Sequence, residues 1–320
     1  MKQQWLERPE AGTVFAYRLI VAIAKLCGRR AARLLLYPIT LYFLIRRGPE
    51  RRASRAYLER VTGQQVSLRQ VARHIRWFAS VILDRAFLLS ERFKRFDIRV
   101  FGLDDLRAAW GQQRGVLVFG SHLGSFDALR VLAQVRPDVK VRVVLDTDVN
   151  PALSQFLNAL NPELARSIIN ARRDGMTTTL AIKEALDEKA LVTLLVDRAR
   201  PGNEVALCDF LGKPAPFPVG PWQLAAALKV PVVLCFGLYR GGNRYDLYFE
   251  PFADQLVLER TRREEHLREV AARFAARLEH FAHDAPYNWF NFYDFWKTET
   301  PQAARTPDAA AGAVRDGGNA

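Results

Sequence analysis

A histidine and a carboxylate, His122 and Asp127, stand five residues apart in the stretch GSHLGSFD at 120–127. On one continuous helix their side chains would point about 140° apart, so they can meet only if His122 lies in a loop that folds back. Gly124 lies between them and favours such a turn. Asp127 would then accept a hydrogen bond from one imidazole nitrogen, and the other nitrogen would be a general base.

The sequence around this pair indicates where it lies in a fold. Val116–Gly120 is apolar on both faces, as a buried parallel strand must be, and a helical pattern follows around 124–135. Active sites of open α/β sheets lie beyond the carboxyl ends of the strands. The spacing alone is weak evidence, because a helix-start carboxylate beside a loop histidine would give the same pattern. The position after a buried strand favours the catalytic interpretation.

Strand and helix patterns alternate along the rest of the chain. The other predicted strands are Asp97–Phe101, Val141–Leu145, Leu191–Val196, Val232–Leu238 and Tyr245–Glu250. The other predicted helices lie at 68–93, around 150–160, 175–188 and 218–229, and at 267–281 before an aromatic cluster at 287–296. This alternation predicts an α/β fold with a mostly parallel central sheet flanked by helices. The aromatic cluster is expected to pack the core rather than to form the wall of a substrate pocket.

The net charge of +13 is regional. Residues 1–100 hold 21 Lys and Arg against 7 Asp and Glu, and the remaining 220 residues hold 26 against 27. A regional positive field predicts a polyanionic partner, either a nucleic acid or an anionic membrane surface. We expect no nucleic acid, because such an arm rarely needs so much Leu, Ile and Phe and no recognition motif accompanies the charge.

Two apolar stretches, Val14–Cys27 and Leu34–Ile45, lie in this basic region. Neither reaches the roughly 18–20 uninterrupted apolar residues that cross a bilayer, since basic residues interrupt the first and Pro38 breaks the second. Their basic flanks and aromatic residues are typical of a segment in the membrane interface. We predict an N-terminal membrane-interface helical hairpin, with a buried hairpin and a solvated basic rim as the alternative.

The predicted domain organisation has three parts. Residues 1–62 form the N-terminal membrane-associated helical segment, and residues 63–298 form the α/β domain. Residues 299–320, rich in Ala, Gly, Pro and Asp without periodicity, are a predicted disordered tail.

Several chemistries lack their sequence signatures. Three cysteines lie far apart without a C-x-x-C pair and the five histidines are sparse, so we expect neither a disulfide scaffold nor a metal site. The G-x-S-x-G nucleophile elbow is absent, as are the P-loop and the dinucleotide glycine motif. A hydrolase elbow, kinase chemistry and dinucleotide chemistry are therefore disfavoured, and no cofactor is expected.

The 120–127 stretch resembles the histidine-acid motif of the lysophospholipid acyltransferase superfamily. From about Trp5 to Trp296 the chain looks most like the late lipid A (lauroyl/myristoyl) acyltransferase branch. Further matching stretches are NARRDGM at 170–176, LVDR at 195–198, FLGKPAPFPVG at 210–220 and VPVV at 230–233. The lipid A branch usually has Glu at the position of Asp127, whereas the glycerophospholipid branch has Asp. The aromatic block 286–296 is similar to that of members beside aryl-polyene pathways.

The resemblance implies an acyltransferase that moves a fatty acyl group from an acyl carrier protein or coenzyme A thioester to a hydroxyl of a membrane lipid. The acceptor would be lipid A-like or another glycolipid or polyene lipid, at the cytoplasmic face of the bacterial inner membrane. His122 and Asp127 would be the catalytic residues: His122 removes the hydroxyl proton and Asp127 stabilises the imidazolium. The basic N-terminal third would bind anionic lipid, as in a peripheral or monotopic protein, and attract an acidic carrier protein.

Eight further residues are predicted to bind substrate. They are Gly124, Arg172, Arg173, Asp197, Arg198, Phe217, Pro218 and Gly220. Backbone amides near Gly124, or the side chain of Arg172 or Arg173, would stabilise the oxyanion. By resemblance, Asp197 and one of the two arginines line the same cleft, with a surface ion pair as the alternative. A helix start at 217–220 would offer amides to an anionic head group, or Pro218 only initiates the helix.

A second class of function stays open. The chain could be a non-catalytic membrane-associated protein that binds acylated lipid or an acyl carrier. In that case the residues His122 and Asp127 would be dispensable.

Overall fold

A computed structural model describes residues 28–89, 91–111, 114–129, 139–145, 166–171, 175–200 and 202–297. Three predictions lie outside the described residues: the apolar stretch Val14–Cys27, the helix around 150–160 and the tail at 299–320. Of the predicted helix at 124–135, residues 127–129 are described and helical.

Nine strands are described in the chain. They are β1 (Asp97–Phe101), β2 (Val116–Gly120), β3 (Val141–Leu145), β4 (Ile168–Asn170), β5 (Leu191–Leu195), β6 (Val205–Phe210), β7 (Lys213–Pro218), β8 (Val232–Gly241) and β9 (Arg244–Ala253). Seven form one sheet in the order β1-β9-β8-β2-β5-β3-β4. Its neighbouring strands are all parallel except β8 and β9, which are antiparallel. The predicted mostly parallel sheet is confirmed.

Strand β2 lies inside the sheet between β5 and β8, and all five of its residues are buried. Leu117 and Phe119 belong to one hydrophobic core, and Val116 and Val118 belong to the other. Side chains alternate across a strand, so each face of the sheet needs its own apolar cover. This double burial explains the unbroken apolar run in the sequence.

The helices cover both faces of the sheet. They are α1 (Leu36–Arg46), α2 (Gly48–Thr62), α3 (Leu68–Leu88), α4 (Leu103–Trp110), α5 (Gly175–Asp187), α6 (Gly220–Leu228) and α7 (Arg263–Asp284). Residues from α2, α5, α6 and α7 pack in the core that holds Phe119, and residues from α1 and α4 pack in the other. Helix α3 contributes to both cores, and a capping box between Ser67 and Gln70 begins it.

A hairpin that the sequence did not predict joins β6 to β7. The two strands pair antiparallel and are connected by Leu211 and Gly212, both with positive φ. A two-residue loop of this kind matches the twist of the flanking strands. The Leu211 N–H donates to Oε2 of Glu279 on α7 at 2.6 Å, which ties the turn to that helix.

The N-terminal helical residues are tied to the α/β fold by a buried carboxylate. Asp84 on α3 is fully buried and accepts two hydrogen bonds from Arg29, each at 2.7 Å, and one from the Tyr245 hydroxyl at 3.0 Å. The helix is interrupted at Leu35, and α1 begins after it with Pro38 in its first turn, where a proline is tolerated. The break therefore lies one turn before Pro38.

Helix α1 packs by one face and leaves the other uncovered. Leu36 and Thr40 are buried, whereas Tyr37, Leu41 and Ile45 are more than half exposed. In the described part of the chain, no helix combines the length and the hydropathy that a bilayer crossing requires.

Candidate active site

His122 lies in a loop at 121–125 that directly follows β2, as predicted. Gly124 has a φ of +68°, and a Cβ atom there would lie 1.9 Å from the carbonyl oxygen of Gly237 on β8. The N–H of Ser125 donates to that same carbonyl at 2.6 Å. Only glycine allows this approach of two backbones, so Gly124 fixes the course of the loop.

A buried carboxylate from the neighbouring strand holds the imidazole. Because β2 and β5 are adjacent and parallel, their carboxyl ends meet at one edge of the sheet. Asp197, just beyond β5, accepts a hydrogen bond from Nδ1 of His122 at 2.8 Å and one from the His122 backbone N–H at 3.0 Å. Asp197 is fully buried, whereas the His122 side chain is 33% exposed. The pair therefore joins a buried acid to an imidazole that solvent can reach.

The charge state of the pair follows from its surroundings. Burial raises the pKa of Asp197, but the charge and hydrogen bonds of His122, together with the charge of Arg198, lower it to about 2. At neutral pH Asp197 is therefore a carboxylate, which can only accept hydrogen bonds. When the imidazole of His122 is neutral, its proton therefore lies on Nδ1 and its lone pair on Nε2. An imidazole in this tautomer can accept a proton from a hydroxyl group.

Asp127 has a different partner from the predicted one. It begins the helical residues 127–129, and its Oδ2 accepts a hydrogen bond from Nε of Arg85 on α3 at 2.5 Å. The predicted orientation of the imidazole by Asp127 is corrected, because Asp197 occupies Nδ1 of His122. The turn at Gly124 leads the chain to α3, where the Arg85 guanidinium neutralises Asp127.

The segment 288–290 of the aromatic block lies against the loop at 121–125. The carbonyl of Asn288 accepts the Gly124 N–H at 2.8 Å, and the N–H of Phe290 donates to the His122 carbonyl at 3.0 Å. The indole Nε1 of Trp289 donates to Oδ2 of Asp197 at 3.2 Å. The prediction of core packing is confirmed by the burial of these residues, but their polar role was missed. The signal in the sequence that could have indicated this role is the presence of side-chain amide and indole N–H donors among the aromatic residues of the block.

Comparison with protein families gives the reaction class. Residues 2–298 match the family model described as bacterial lipid A biosynthesis acyltransferase. The chain belongs to this family. The resemblance of the chain to the lipid A acyltransferase branch is thereby confirmed, and the protein belongs to a group of enzymes that transfer acyl groups to lipid. The search of curated proteins found no match.

In this acyltransferase the amides of Gly124 and Ser125 are already occupied. The Gly124 N–H donates to Asn288 and the Ser125 N–H donates to Gly237, so neither is available to an oxyanion. Arg198 offers an alternative, because it directly follows Asp197. Its Nη2 donates to the carbonyl of Phe290 at 2.7 Å, whereas its Nε is buried without a hydrogen-bond partner. The residue that follows Asp197 thus has one buried guanidinium N–H without a hydrogen-bond partner.

The other residues predicted to bind substrate have different locations. Phe217 is fully buried and packs edge-on against the rings of Phe210 and Phe274. Pro218 ends strand β7 and does not initiate a helix, because α6 begins at Gly220 and has its own proline in the first turn. Arg172 and Arg173 lie outside the described residues.

Asp197 is not part of a surface ion pair, the alternative considered from sequence, since it is fully buried against His122. The described cysteines, Cys208 and Cys235, are buried, and burial raises the pKa of both thiols, that of Cys208 to about 11. Neither thiol is therefore suited to act as a nucleophile. Among the residues that the structure describes, no group of three His, Cys, Asp or Glu side chains could hold a metal ion.

Proposed function

We propose that this protein transfers a fatty acyl group from an acyl carrier protein or coenzyme A thioester to a hydroxyl of a membrane lipid. The observation that carries the proposal is the contact between the partly exposed imidazole of His122 and the fully buried carboxylate of Asp197. The family supplies the class of reaction, and this pair supplies a general base beyond the carboxyl end of a central strand. Apart from the thioester donor, the reaction requires no cofactor.

The chemistry begins with the lipid hydroxyl, which is a poor nucleophile at neutral pH. Nε2 of His122 removes its proton while the oxygen forms a bond to the thioester carbonyl carbon. Asp197 stabilises the resulting imidazolium. When the tetrahedral intermediate collapses, the carbon–sulfur bond breaks and the leaving thiolate takes the proton from the imidazolium. General-base catalysis of this kind is typically worth about 10² to 10⁴-fold in rate.

The oxyanion of the intermediate requires a donor. In our proposal the Arg198 guanidinium provides it, because its charge already acts on the neighbouring Asp197 and the amides of Gly124 and Ser125 are engaged in the backbone. Arg172 and Arg173 remain further candidates from the resemblance. Removal of one such donor typically costs about 10² to 10³-fold in kcat.

Asp127 then acts on the loop rather than on the imidazole. Its ion pair with Arg85 attaches the helical residues after the loop to α3. Because the loop carries His122 between β2 and this attachment, loss of Asp127 would displace the base. The role that we propose for Asp127 is therefore to anchor the loop at 121–125, which carries His122.

The uncovered face of α1 supports contact with an anionic membrane surface. Its exposed apolar and aromatic residues are Leu34, in the preceding turn, and Tyr37, Leu41, Tyr42 and Ile45. Arg76 of α3 lies over the ring of Tyr37, with its guanidinium carbon 5.5 Å from the ring centroid. Apolar side chains beside arginines suit a helix lying in the interface of a bilayer with anionic lipid. The proposed location is the cytoplasmic face of the bacterial inner membrane, with peripheral or monotopic attachment.

Sedimentation with lipid vesicles tests this attachment. The double variant Leu41→Ser and Ile45→Ser should bind vesicles containing anionic phospholipid at least about tenfold more weakly, because each change removes about 1 kcal/mol of apolar burial. Leu207→Ser, at a similarly exposed leucine on β6, is the matched control and should bind as the wild type does. Equal binding by all three proteins would contradict the membrane proposal.

Mass spectrometry of lipids tests the function and names the acceptor. Cells with the intact protein should contain a lipid with one more acyl chain than cells without it, and cells with the His122→Ala variant should resemble the latter. The acceptor is expected to be lipid A-like or another glycolipid or polyene lipid. Identical lipids in the wild-type and His122→Ala cells would favour a non-catalytic protein that binds acylated lipid or an acyl carrier.

A further inference from the structure

We infer that Trp289 is a positioning residue for the acyl transfer, and that its indole N–H fixes the Asp197 carboxylate in the orientation that His122 requires. The inference rests on the proposed role of His122 as the general base. It assigns a polar task to a residue whose burial would otherwise place it in the core alone.

The hydrogen bonds of Asp197 show why a donor other than His122 is needed to orient its carboxylate. Its Oδ1 accepts from Nδ1 of His122, and its Oδ2 accepts from the His122 backbone N–H and from Nε1 of Trp289. Two of these three donors belong to His122, the residue that Asp197 has to position. The indole is the donor that comes from a separate element of the fold, so it sets the carboxylate plane independently of His122.

The indole is itself held in one orientation. Trp289 is fully buried, and four aromatic rings pack against it at steep angles. The ring centroids of Tyr57, Phe210, Phe295 and Trp296 lie 5.0, 5.1, 4.9 and 6.0 Å away, with interplanar angles of 63°, 73°, 87° and 73°. Close packing on several sides of a fully buried side chain restricts the rotation of the indole. The N–H therefore points at Asp197 without a further cost in side-chain entropy.

A buried histidine holds the backbone of the same residue. Nε2 of His74 bonds to the carbonyl of Trp289 at 3.1 Å, and its Nδ1 bonds to the Ser54 hydroxyl at 2.8 Å. A carbonyl oxygen can only accept a hydrogen bond, so Nε2 of His74 donates to it. Nδ1 of His74 then accepts a hydrogen bond from the Ser54 hydroxyl. Hydrogen bonds thus connect α2 and α3, through Trp289 and Asp197, to the imidazole of His122.

The variant Trp289→Phe tests the inference, with Trp222→Phe as the matched control. Trp222 is also fully buried in the same core, but its Nε1 has no hydrogen-bond partner, so the control removes an indole without removing a hydrogen bond. We expect Trp289→Phe to lower kcat by about 10- to 100-fold with KM unchanged, as for the loss of a hydrogen bond to a charged group. Trp222→Phe should lower thermal stability and keep kcat. Equal losses of kcat in both variants would overturn the inference, as would full kcat in Trp289→Phe.

Indole ¹⁵N–¹H NMR of the full-length chain provides a readout that needs no substrate. Asp197→Asn should shift the Nε1–H resonance of Trp289 and leave that of Trp222 in place. This measurement decides the matter even if Trp289→Phe fails to fold, because an unmoved Trp289 resonance would overturn the inference. Failure of the proposed function is distinguishable: if the wild-type protein were inactive in acyl transfer, Asp197→Asn would still shift the Trp289 resonance.

Discussion

Replacement of Asp197 by Asn removes the negative charge beside His122 and preserves the shape of the side chain. Asp197 accepts three N–H groups, two from His122 and one from Trp289. An amide has only one acceptor oxygen, so its NH₂ group must face at least one of these donors or force the imidazole into the other tautomer. In Ser-His-Asp triads the same substitution lowers kcat by about 10⁴-fold. We expect a loss of about 10³ to 10⁴-fold, or about 4 to 5 kcal/mol of transition-state stabilisation.

The assay is single-turnover acyl transfer from a thioester donor to extracted membrane lipid, with thermal unfolding measured on the same samples. Asp246→Asn is the matched control, because Asp246 is an equally buried carboxylate that pairs with Arg240 and Arg244 rather than with His122. The control should lose stability and retain its rate. A folded Asp197→Asn protein with a rate within tenfold of the wild type would refute the role of Asp197.

Three further predictions concern the loop, the anchor and a buried histidine. Gly124→Ala should cost at least about 2 kcal/mol of folding free energy and most of the activity, since its Cβ would lie 1.9 Å from the Gly237 carbonyl; a stable, active variant in urea and rate measurements would contradict this. Arg85→Met and Asp127→Asn should each destabilise the fold, and a double-mutant cycle should give a coupling of about 1 to 2 kcal/mol, whereas additive losses would argue against the ion pair. Burial lowers the pKa of His74 to about 4, whereas the imidazole in the unfolded chain has a pKa of about 6.5, so the unfolded chain is protonated first as the pH falls. The free energy of unfolding should therefore decrease by up to about 3 kcal/mol between pH 6.5 and 4. Urea titrations of His74→Gln should not show this decrease.

The sequence predicted the central sheet well because its strands carry strong local signals. All six predicted strands are present, and β2 matches at both ends because burial on both faces makes its apolar run continuous. The missed strands lack such a run. β4 has only three residues, and the hairpin of β6 and β7 contains three prolines in its second strand, a residue type that argues against a strand.

The sequence predicted residues of the site correctly but assigned the wrong acid as the hydrogen-bond partner of His122. The sequence located His122 in a loop after a buried strand, and the resemblance placed Asp197 in the same cleft. Spacing along the chain pointed to Asp127 as the partner, but strand order determines which carboxylate meets the imidazole. Because β2 pairs with β5, the acid that contacts Nδ1 comes from 75 positions away in sequence, and the acid five positions away pairs with Arg85 instead. No local pattern contains that information.

The central claim is that His122, held by Asp197, is the base of an acyl transfer. The most direct test is the rate at which purified, folded His122→Ala protein moves an acyl group from a thioester to lipid. We predict a rate at least about 10²-fold below that of the wild type, with thermal stability and binding to anionic vesicles retained. A folded His122→Ala protein that transfers acyl groups at the wild-type rate would contradict the claim.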